Sequence, residues 1–317
     1  MTINASVSVI IPTYNRSTLL AAAVESVLAQ SHHVHQIVIV DDGSSDEHRN
    51  SLRSLATAHP VITVHELAGN HGRSRARNDA LARASGDFVL FLDDDDLLDP
   101  TMVETAVQCL SAGTQADVAV CCGQFFGNLD DLPLGPFFLD PSGPPPQWIA
   151  ALVGASRGQR EELQANPIRT LLKGGGAPIH AFVVRRSAIG ETRFAEDLES
   201  GEDWVFWIDL AIKGCQFRFN SLGRVYVRRH EGNSLATASG FVACKRVLEM
   251  VENRGDEEVF LAAARAAAFG WHKGHIEWRR VATSLARYPV PLLKYGGQFV
   301  ARRAYQRWKS ATAAKRH

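Results

Sequence analysis

Four consecutive aspartates, Asp93 to Asp96, are the residues of this 317-residue sequence whose types and spacing have the clearest chemical meaning. Adjacent carboxylates repel one another unless a proton or a cation compensates their charge. Carboxylate oxygens favour hard cations such as Mg²⁺ and Mn²⁺, which proteins usually bind through one or two carboxylates together with substrate phosphates. The acidic run therefore predicts a metal site that accepts a diphosphate-bearing substrate.

Helix capping is the alternative interpretation of these acids, because Asp96 and Asp99 flank Pro100 before a predicted helix. We assign a capping role to Asp99 but not to Asp93 or Asp95. In an extended segment alternate side chains point the same way, so we expect Asp93 and Asp95 to reach one ligand together.

The elements that must position the acidic run alternate between short apolar runs and helical patterns. Strands are predicted near residues 7–11, 37–40, 61–65 and 88–92, and helices at 17–30, 46–58 and 74–84. Continuous apolar strands separated by helices indicate an α/β fold with a mostly parallel sheet. Farther on we predict strands at 118–122, 181–184 and 225–227, helices at 101–110 and 202–213, and a helical region beyond 239.

Polar residues follow each of the first four predicted strands. The strands lead into Pro12-Thr13-Tyr14-Asn15-Arg16, Asp41-Asp42-Gly43-Ser44, Asn70-His71-Gly72-Arg73 and the acidic run. In open α/β sheets, ligands bind outside the carboxyl ends of the strands. We therefore expect these four groups to share one edge and form a site.

Composition limits the class of protein. Hydrophobic residues make up 45% of the chain and charged residues 21%, which is typical of a soluble globular protein. Five scattered cysteines without metal spacing suit a reducing compartment, and no signal peptide or apolar run of membrane-spanning length is apparent. These features predict a cytoplasmic location.

The C-terminal region is basic although the net charge is zero. From Lys273 onward Glu277 is the only acid, among Lys273, Arg279, Arg280, Arg287, Lys294, Arg302, Arg303, Arg307, Lys309, Lys315 and Arg316. Such a segment could contact an anionic surface, such as the inner face of the cytoplasmic membrane, or could be a solvated helix.

Other nucleotide-binding and DNA-binding classes lack support. The sequence has no GxxxxGK[ST] motif and no GxGxxG after the first strand. It also lacks a helix-turn-helix or zinc-finger pattern, and the acidic edge argues against nucleic acid as a partner.

Several motifs together resemble the family 2 glycosyltransferases of the GT-A fold, a Rossmann-like nucleotide-diphospho-sugar transferase fold. They are VSVIIPTYNR, VIVDDGSSD, GRSRARNDAL and GDFVLFLDDDDLLDP, followed by an ED motif at Gly201–Trp207 and by Arg228-Arg229-His230. The resemblance implies a transferase domain at residues 1–238, with a nucleotide-sugar half at 1–125 and an acceptor half at 126–238. A basic helical extension would then occupy residues 239–317.

The resemblance also implies residue roles. Asp203 would be the catalytic base, Asp95 the direct metal ligand and Asp93 the other acid of the DxD motif. Glu202 and His230 would lie near the acceptor or diphosphate. The nucleotide-sugar site would comprise Pro12, Thr13, Tyr14, Arg16, Asp41, Arg73, Arg77, Asp93 and Asp94. Arg73 and Arg77 are four residues apart at a helix start, so they could alternatively face solvent.

The implied reaction is inverting transfer of a sugar from a nucleotide-diphospho-sugar, with UDP- or dTDP-sugars favoured, assisted by Mn²⁺ or Mg²⁺. The acceptor would be a saccharide or lipid-linked saccharide in the synthesis of bacterial surface polysaccharide or glycoconjugate. A nucleotidyl or phosphoryl transferase, which would also use acids and a metal, is one alternative. A non-catalytic sugar-nucleotide-binding protein is the other.

Overall fold

A computed structural model describes residues 5–113, 116–126, 135–137, 163–174, 179–228 and 240–254, together with Glu258 and Ala262. The strands are β1 Val7–Thr13, β2 Gln36–Asp41, β3 Ile62–Glu66, β4 Phe88–Phe91, β5 Leu97–Leu98, β6 Val118–Phe126, β7 Gly135–Phe137, β8 Phe182–Arg185 and β9 Phe217–Arg228. The helices are α1 Ser17–Leu28, α2 Asp46–Ala58, α3 Arg73–Leu81, α4 Met102–Ser111, α5 Pro167–Gly174, α6 Arg186–Ile189, α7 Glu202–Ile212 and α8 Gly240–Val251. A 3-10 turn, Ile179–Ala181, precedes β8.

Within these residues the strands form one sheet in the order β3-β2-β1-β4-β8-β6-β9-β5, and β7 pairs with β6. Strands β1 to β4 are parallel neighbours, so their carboxyl ends lie at one edge as predicted. Beyond β4 the sheet is mixed, because β8 is antiparallel to both β4 and β6. An apolar run does not encode strand direction, so the sequence pattern could not reveal this reversal.

Helix α7 packs against the sheet through aromatic side chains. The Phe206 ring stacks on Phe194 at 4.1 Å between centroids, and the Trp207 ring stacks on Phe182 of β8 at 4.2 Å. Phe91 at the end of β4 meets Phe206 edge to face. Such pairs contribute about 0.5–1.5 kcal/mol each beyond the burial of their area. The start of α7 is thereby fixed close to the carboxyl end of β4.

Helix α8 packs on α7 and extends the same hydrophobic core. Its residues Ala243, Cys244, Val247 and Val251 are buried in the core cluster. Gly201, just before α7, has φ +80°, and a Cβ there would lie 2.7 Å from the Cβ of Ala243. The domain boundary after residue 238 stays a prediction, but the first helix beyond it contacts the helix of the ED motif.

Strand β9 is much longer than the predicted strand at 225–227. It pairs in parallel with β6, with a register irregularity at Cys121/Cys122. Polar residues such as Arg218 and Asn220 interrupt its apolar pattern, which is why periodicity revealed only its end. Among the described residues no helix is both long and apolar enough to cross a bilayer.

Candidate active site

The acidic run forms a turn between β4 and β5. The Asp96 amide donates to the Asp93 carbonyl oxygen at 3.2 Å. The expectation of an extended segment was therefore wrong, because the chain must reverse here to bring β5 onto β9. In such a turn the first and fourth residues approach each other. The side chains of Asp93 and Asp95 accordingly have different partners.

The middle two carboxylates are linked to the loop after β1. Asp94 accepts a hydrogen bond of 2.7 Å from Thr13 Oγ1, and Arg16 Nη1 lies 3.2 Å from Asp94 and 2.9 Å from Asp95. Burial raises the pKa of Asp94 to about 6, although Thr13 and Arg16 oppose the shift. The acidity of Asp94, which the resemblance did not require, thus joins the acidic run to β1.

Arg77 is a buried guanidinium that connects the acidic run to the ED motif. Its side chain is 1% exposed. It donates to Asp93 Oδ1 at 2.6 Å and to Glu202 Oε1 at 2.8 Å. Arg73 approaches the same Glu202 oxygen at 3.7 Å and is more exposed. The alternative that Arg73 and Arg77 face solvent is therefore wrong for Arg77. Contact with phosphate stays a prediction for both residues.

Asp203 lies in the first turn of α7 beside Glu202. Its Oδ1 accepts a hydrogen bond of 2.7 Å from the amide of Trp204. Burial and the negative charge of Glu202 raise the pKa of Asp203 to about 7, while the charge of Arg77 opposes the shift. A carboxylate that titrates near neutral pH is suited to general-base chemistry.

The polar residues at the carboxyl ends of β1 and β2 differ in their exposure to solvent. Tyr14 is 44% exposed, whereas Asp41 is fully buried. Asp41 accepts hydrogen bonds from the Ser44 amide at 3.2 Å and from Arg49 Nε at 3.0 Å. These internal partners fix the loop after β2, and contact between Asp41 and a nucleotide base stays a prediction.

Asp42 orders the loop that follows β3. It accepts hydrogen bonds from the amides of His71 and Gly72 at 2.8 and 2.7 Å. Gly43 has φ +83°, and a Cβ there would lie 2.4 Å from the Gly69 carbonyl carbon. The second and third polar groups of the predicted site are thereby tied together directly in front of α3.

Asp96 and His180 belong to the site but were not assigned to it from the sequence. Asp96 accepts a hydrogen bond of 2.7 Å from the Arg228 amide, and its Oδ2 lies 3.1 Å from His180 Nδ1. Burial and the neighbouring acids raise the pKa of Asp96 well above its usual range, and burial lowers that of His180 to about 4. A single histidine after a glycine-rich turn has no diagnostic spacing, so only the fold could place it here.

The donor set at this turn fits a divalent cation. Asp93, Asp96 and His180 each offer one ligand atom, and the three atoms lie within 4.8 Å of one another. Two carboxylates and one imidazole are ligands that divalent metals accept. Asp99, in contrast, accepts hydrogen bonds from the amide and hydroxyl of Thr101. The predicted helix cap was wrong, because Thr101 is the N-cap residue of α4 and no side-chain cap bond is present there. His230 lies outside the described residues.

Comparison with known proteins shows which family the sequence matches. The family model described as "Glycosyl transferase family 2" matches residues 8–189, more than half of the chain. The Bacillus subtilis "Putative teichuronic acid biosynthesis glycosyltransferase TuaG" is 46% identical over 90 residues, which are 28% of this chain and 36% of the relative. The Campylobacter jejuni "GalNAc(5)-diNAcBac-PP-undecaprenol beta-1,3-glucosyltransferase" is 36% identical over 124 residues, 38% of this chain and 40% of the relative. The chain therefore spans well under half the length of either relative.

Solved structures show the same fold. Residues 1–349 of Staphylococcus aureus TarS match with a TM-score of 0.59 at 20% identity, covering 85% of this chain and 74% of that one. The complex of that protein with UDP-GlcNAc matches with a TM-score of 0.53 at 21% identity, covering 92% and 73%. The sheet, the ordered motifs and the matched residues lead to one conclusion: this chain belongs to glycosyl transferase family 2.

Proposed function

We propose that the chain is a metal-dependent, inverting glycosyltransferase that moves a sugar from a nucleotide-diphospho-sugar to an acceptor hydroxyl. One observation carries the proposal: Arg77 joins Asp93 of the acidic run to Glu202, the neighbour of Asp203, through two buried ion pairs of 2.6 and 2.8 Å. A candidate diphosphate site and a candidate base are thereby parts of one rigid unit.

In the proposed reaction Asp203 removes the proton of the acceptor hydroxyl as its oxygen attacks the anomeric carbon. The pKa of about 7 lets this carboxylate accept a proton at neutral pH. Asp203 becomes protonated, the new glycosidic bond forms, and the nucleoside diphosphate leaves with the electron pair of the broken bond. A single displacement of this kind inverts the anomeric configuration.

The leaving group would bind at the acidic run. The resemblance implies Asp93 and Asp95 as metal-binding acids, and a divalent cation bound there would stabilise the negative charge of the departing diphosphate. The nucleotide would bind at the adjoining strand ends, for which the resemblance implies Thr13, Tyr14, Arg16, Asp41 and Arg73. Arg16 already pairs with Asp94 and Asp95, so it must share these acids with any bound cation.

A uridine or deoxythymidine diphosphate sugar is the proposed donor. Support comes from the solved TarS complexes with UDP and with UDP-GlcNAc, which share the fold. A role in surface polysaccharide or glycoconjugate synthesis is proposed by analogy with the TuaG and Campylobacter relatives. The name of the Campylobacter protein includes an undecaprenol-linked saccharide, which is consistent with a lipid-linked acceptor here.

The decisive experiment incubates the protein with a panel of nucleotide sugars, Mn²⁺ and candidate acceptors, and measures released nucleoside diphosphate. Release from one donor class supports the proposal. Release of pyrophosphate would indicate a nucleotidyl transferase, and saturable binding without release would indicate a sugar-nucleotide binder. Asp203→Asn is the matched control, because it should abolish transfer while nucleoside diphosphate binding persists. Wild-type turnover in that variant would remove Asp203 as the base.

Peripheral membrane contact through the basic C-terminal region is a separate part of the proposal. It is motivated by the excess of lysine and arginine over acids beyond Lys273. Such residues near an anionic surface contribute about 1 kcal/mol each. Co-sedimentation with phosphatidylglycerol vesicles should fall when residues 273–317 are removed, and equal binding would refute the idea.

A further inference from the structure

His180 is a buried imidazole with unused ligand atoms. It is 2% exposed and lies in the 3-10 turn directly before β8. Among the residues that the structure describes, neither of its ring nitrogens has a partner in hydrogen-bond geometry, although Nδ1 is 3.1 Å from Asp96 Oδ2. Buried polar atoms normally have a partner, and an exception points to an unseen ion or water. The ring therefore has ligand capacity, at Nε2 above all, that the described part of the chain does not use.

The turn of the acidic run places two carboxylates beside this ring. The hydrogen bond from the Asp96 amide to the Asp93 carbonyl brings the first and fourth residues of the turn together. Arg77 uses Oδ1 of Asp93, and the Arg228 amide uses Oδ1 of Asp96. Neither bond occupies the second oxygen of either carboxylate.

The spacing suits a single cation. One ligand atom of each residue lies within 4.8 Å of the others. Ligands about 2.1 Å from one ion are roughly 3 to 4 Å apart. A small movement of the three side chains toward one another would therefore bring all three atoms within bonding distance of one ion. The Asp93 side chain is 31% exposed, in contrast to the two buried partners. Substrate phosphates would therefore approach from the Asp93 side.

We propose that His180 and Asp96 join Asp93 as ligands of the divalent cation, an inference that rests on the metal-dependent transfer proposed above. Mg²⁺ favours oxygen ligands, whereas imidazole suits transition metals. The His180 ring therefore makes the site prefer Mn²⁺ to Mg²⁺. Asp95, which the resemblance implies as the direct ligand, contacts Arg16 and lies outside this group of three, so its part in metal binding stays a separate prediction.

The test uses the full-length protein and metal alone. Titration with Mn²⁺ followed by electron paramagnetic resonance gives the affinity, and electron spin-echo modulation detects nitrogen bound to Mn²⁺. We expect a single imidazole nitrogen coupling in the wild type. His180→Asn should remove that coupling and weaken Mn²⁺ binding about 10- to 100-fold, by analogy with lost metal-site partners. Mg²⁺ affinity should change less, so the preference for Mn²⁺ falls.

His230→Asn is the matched control, since His230 is the histidine that the resemblance places near the acceptor or diphosphate. It should leave the nitrogen coupling intact. Absence of the coupling in wild-type protein, or its loss in His230→Asn but not in His180→Asn, overturns the inference. A wild-type protein without the coupling refutes the inference whether or not the variants fold. A clear coupling without sugar transfer from any donor would refute the proposed function but leave the metal site standing.

Discussion

Arg77 and Glu202 are 125 positions apart in the sequence, and their side chains meet in a buried hydrogen bond of 2.8 Å. The same guanidinium binds Asp93, so its charge is shared between the acidic run and the start of α7. Removing one partner of a buried pair typically costs about 3–5 kcal/mol, because the other charge is left uncompensated. Arg77 is thus a positioning residue whose loss should affect both halves of the site.

The pH dependence of turnover is the first prediction. The pKa of Asp203 is raised to about 7, and the base must be ionised to accept a proton. The turnover number should therefore rise about tenfold per pH unit below that value and level off above it. Steady-state kinetics at saturating substrate across this range will test it. A flat profile through the acidic range would contradict the assignment.

Opposite shifts of that profile are expected when the neighbouring charges are removed. Burial and Glu202 raise the pKa of Asp203, whereas Arg77 lowers it. Arg77→Gln should therefore move the rising limb to higher pH, and Glu202→Gln should move it to lower pH. Arg77→Lys keeps the charge and serves as the control, with thermal unfolding confirming that each variant folds. Shifts in the same direction for both neutral variants would rule out this electrostatic account.

Metal-dependent binding should depend on Asp95. Asp95→Ala removes an acid that now lies 2.9 Å from Arg16 and that the resemblance implies as a metal ligand. Calorimetry with Mn²⁺ present should show nucleoside diphosphate affinity lowered about tenfold or more, a loss of at least 1.4 kcal/mol. Asp99→Ala, in the same segment but bound to Thr101, is the control and should bind normally. Unchanged affinity in Asp95→Ala would remove it from the metal site.

The contact between Gly201 and Ala243 predicts a pair of stability effects. Gly201→Ala should destabilise the fold, because φ is +80° and the new Cβ would lie 2.7 Å from the Ala243 Cβ. Backbone strain of this kind costs about 1–2 kcal/mol, before the steric clash is counted. Adding Ala243→Gly to the same chain should restore the part of the lost stability that is due to the clash, but not the part that is due to backbone strain. Denaturant unfolding measures both, and full additivity of the two changes would argue against the contact.

Much of the fold was accessible from the sequence because its signals are local. Apolar runs and helix periodicity predicted β1 to β4 and α1 to α4, and α2 begins and ends at the predicted residues. The shared edge followed from parallel connections, which place carboxyl ends together. The antiparallel placement of β8 beside β4 has no local signal, since it depends on which long-range pairing buries Phe182.

Candidate site residues could be predicted where they belong to a sequence motif. They could not be predicted where the contact joins residues that are distant in the sequence. The acidic run and the ED motif pointed to Asp93, Asp95 and Asp203 from the sequence, and the roles of these residues stay predictions. The ion pairs of Arg77 could not be foreseen, because helix periodicity does not indicate which carboxylate a buried arginine will reach. His180 was missed for the same reason: it approaches Asp96 from a segment more than eighty positions away.

The packing of α8 also limits how short a folded fragment of this protein can be. Val247 and Val251 are fully buried. A truncation before Gly240 would remove both side chains and expose the surface of α7 against which α8 packs. Ala243 of α8 lies next to Gly201, the residue directly before α7, so the loss would also remove a contact at the start of the helix that carries Glu202 and Asp203. A fragment designed to end at Arg254 would keep α8, whereas one cut directly after the last family motif, Arg228-Arg229-His230, would not.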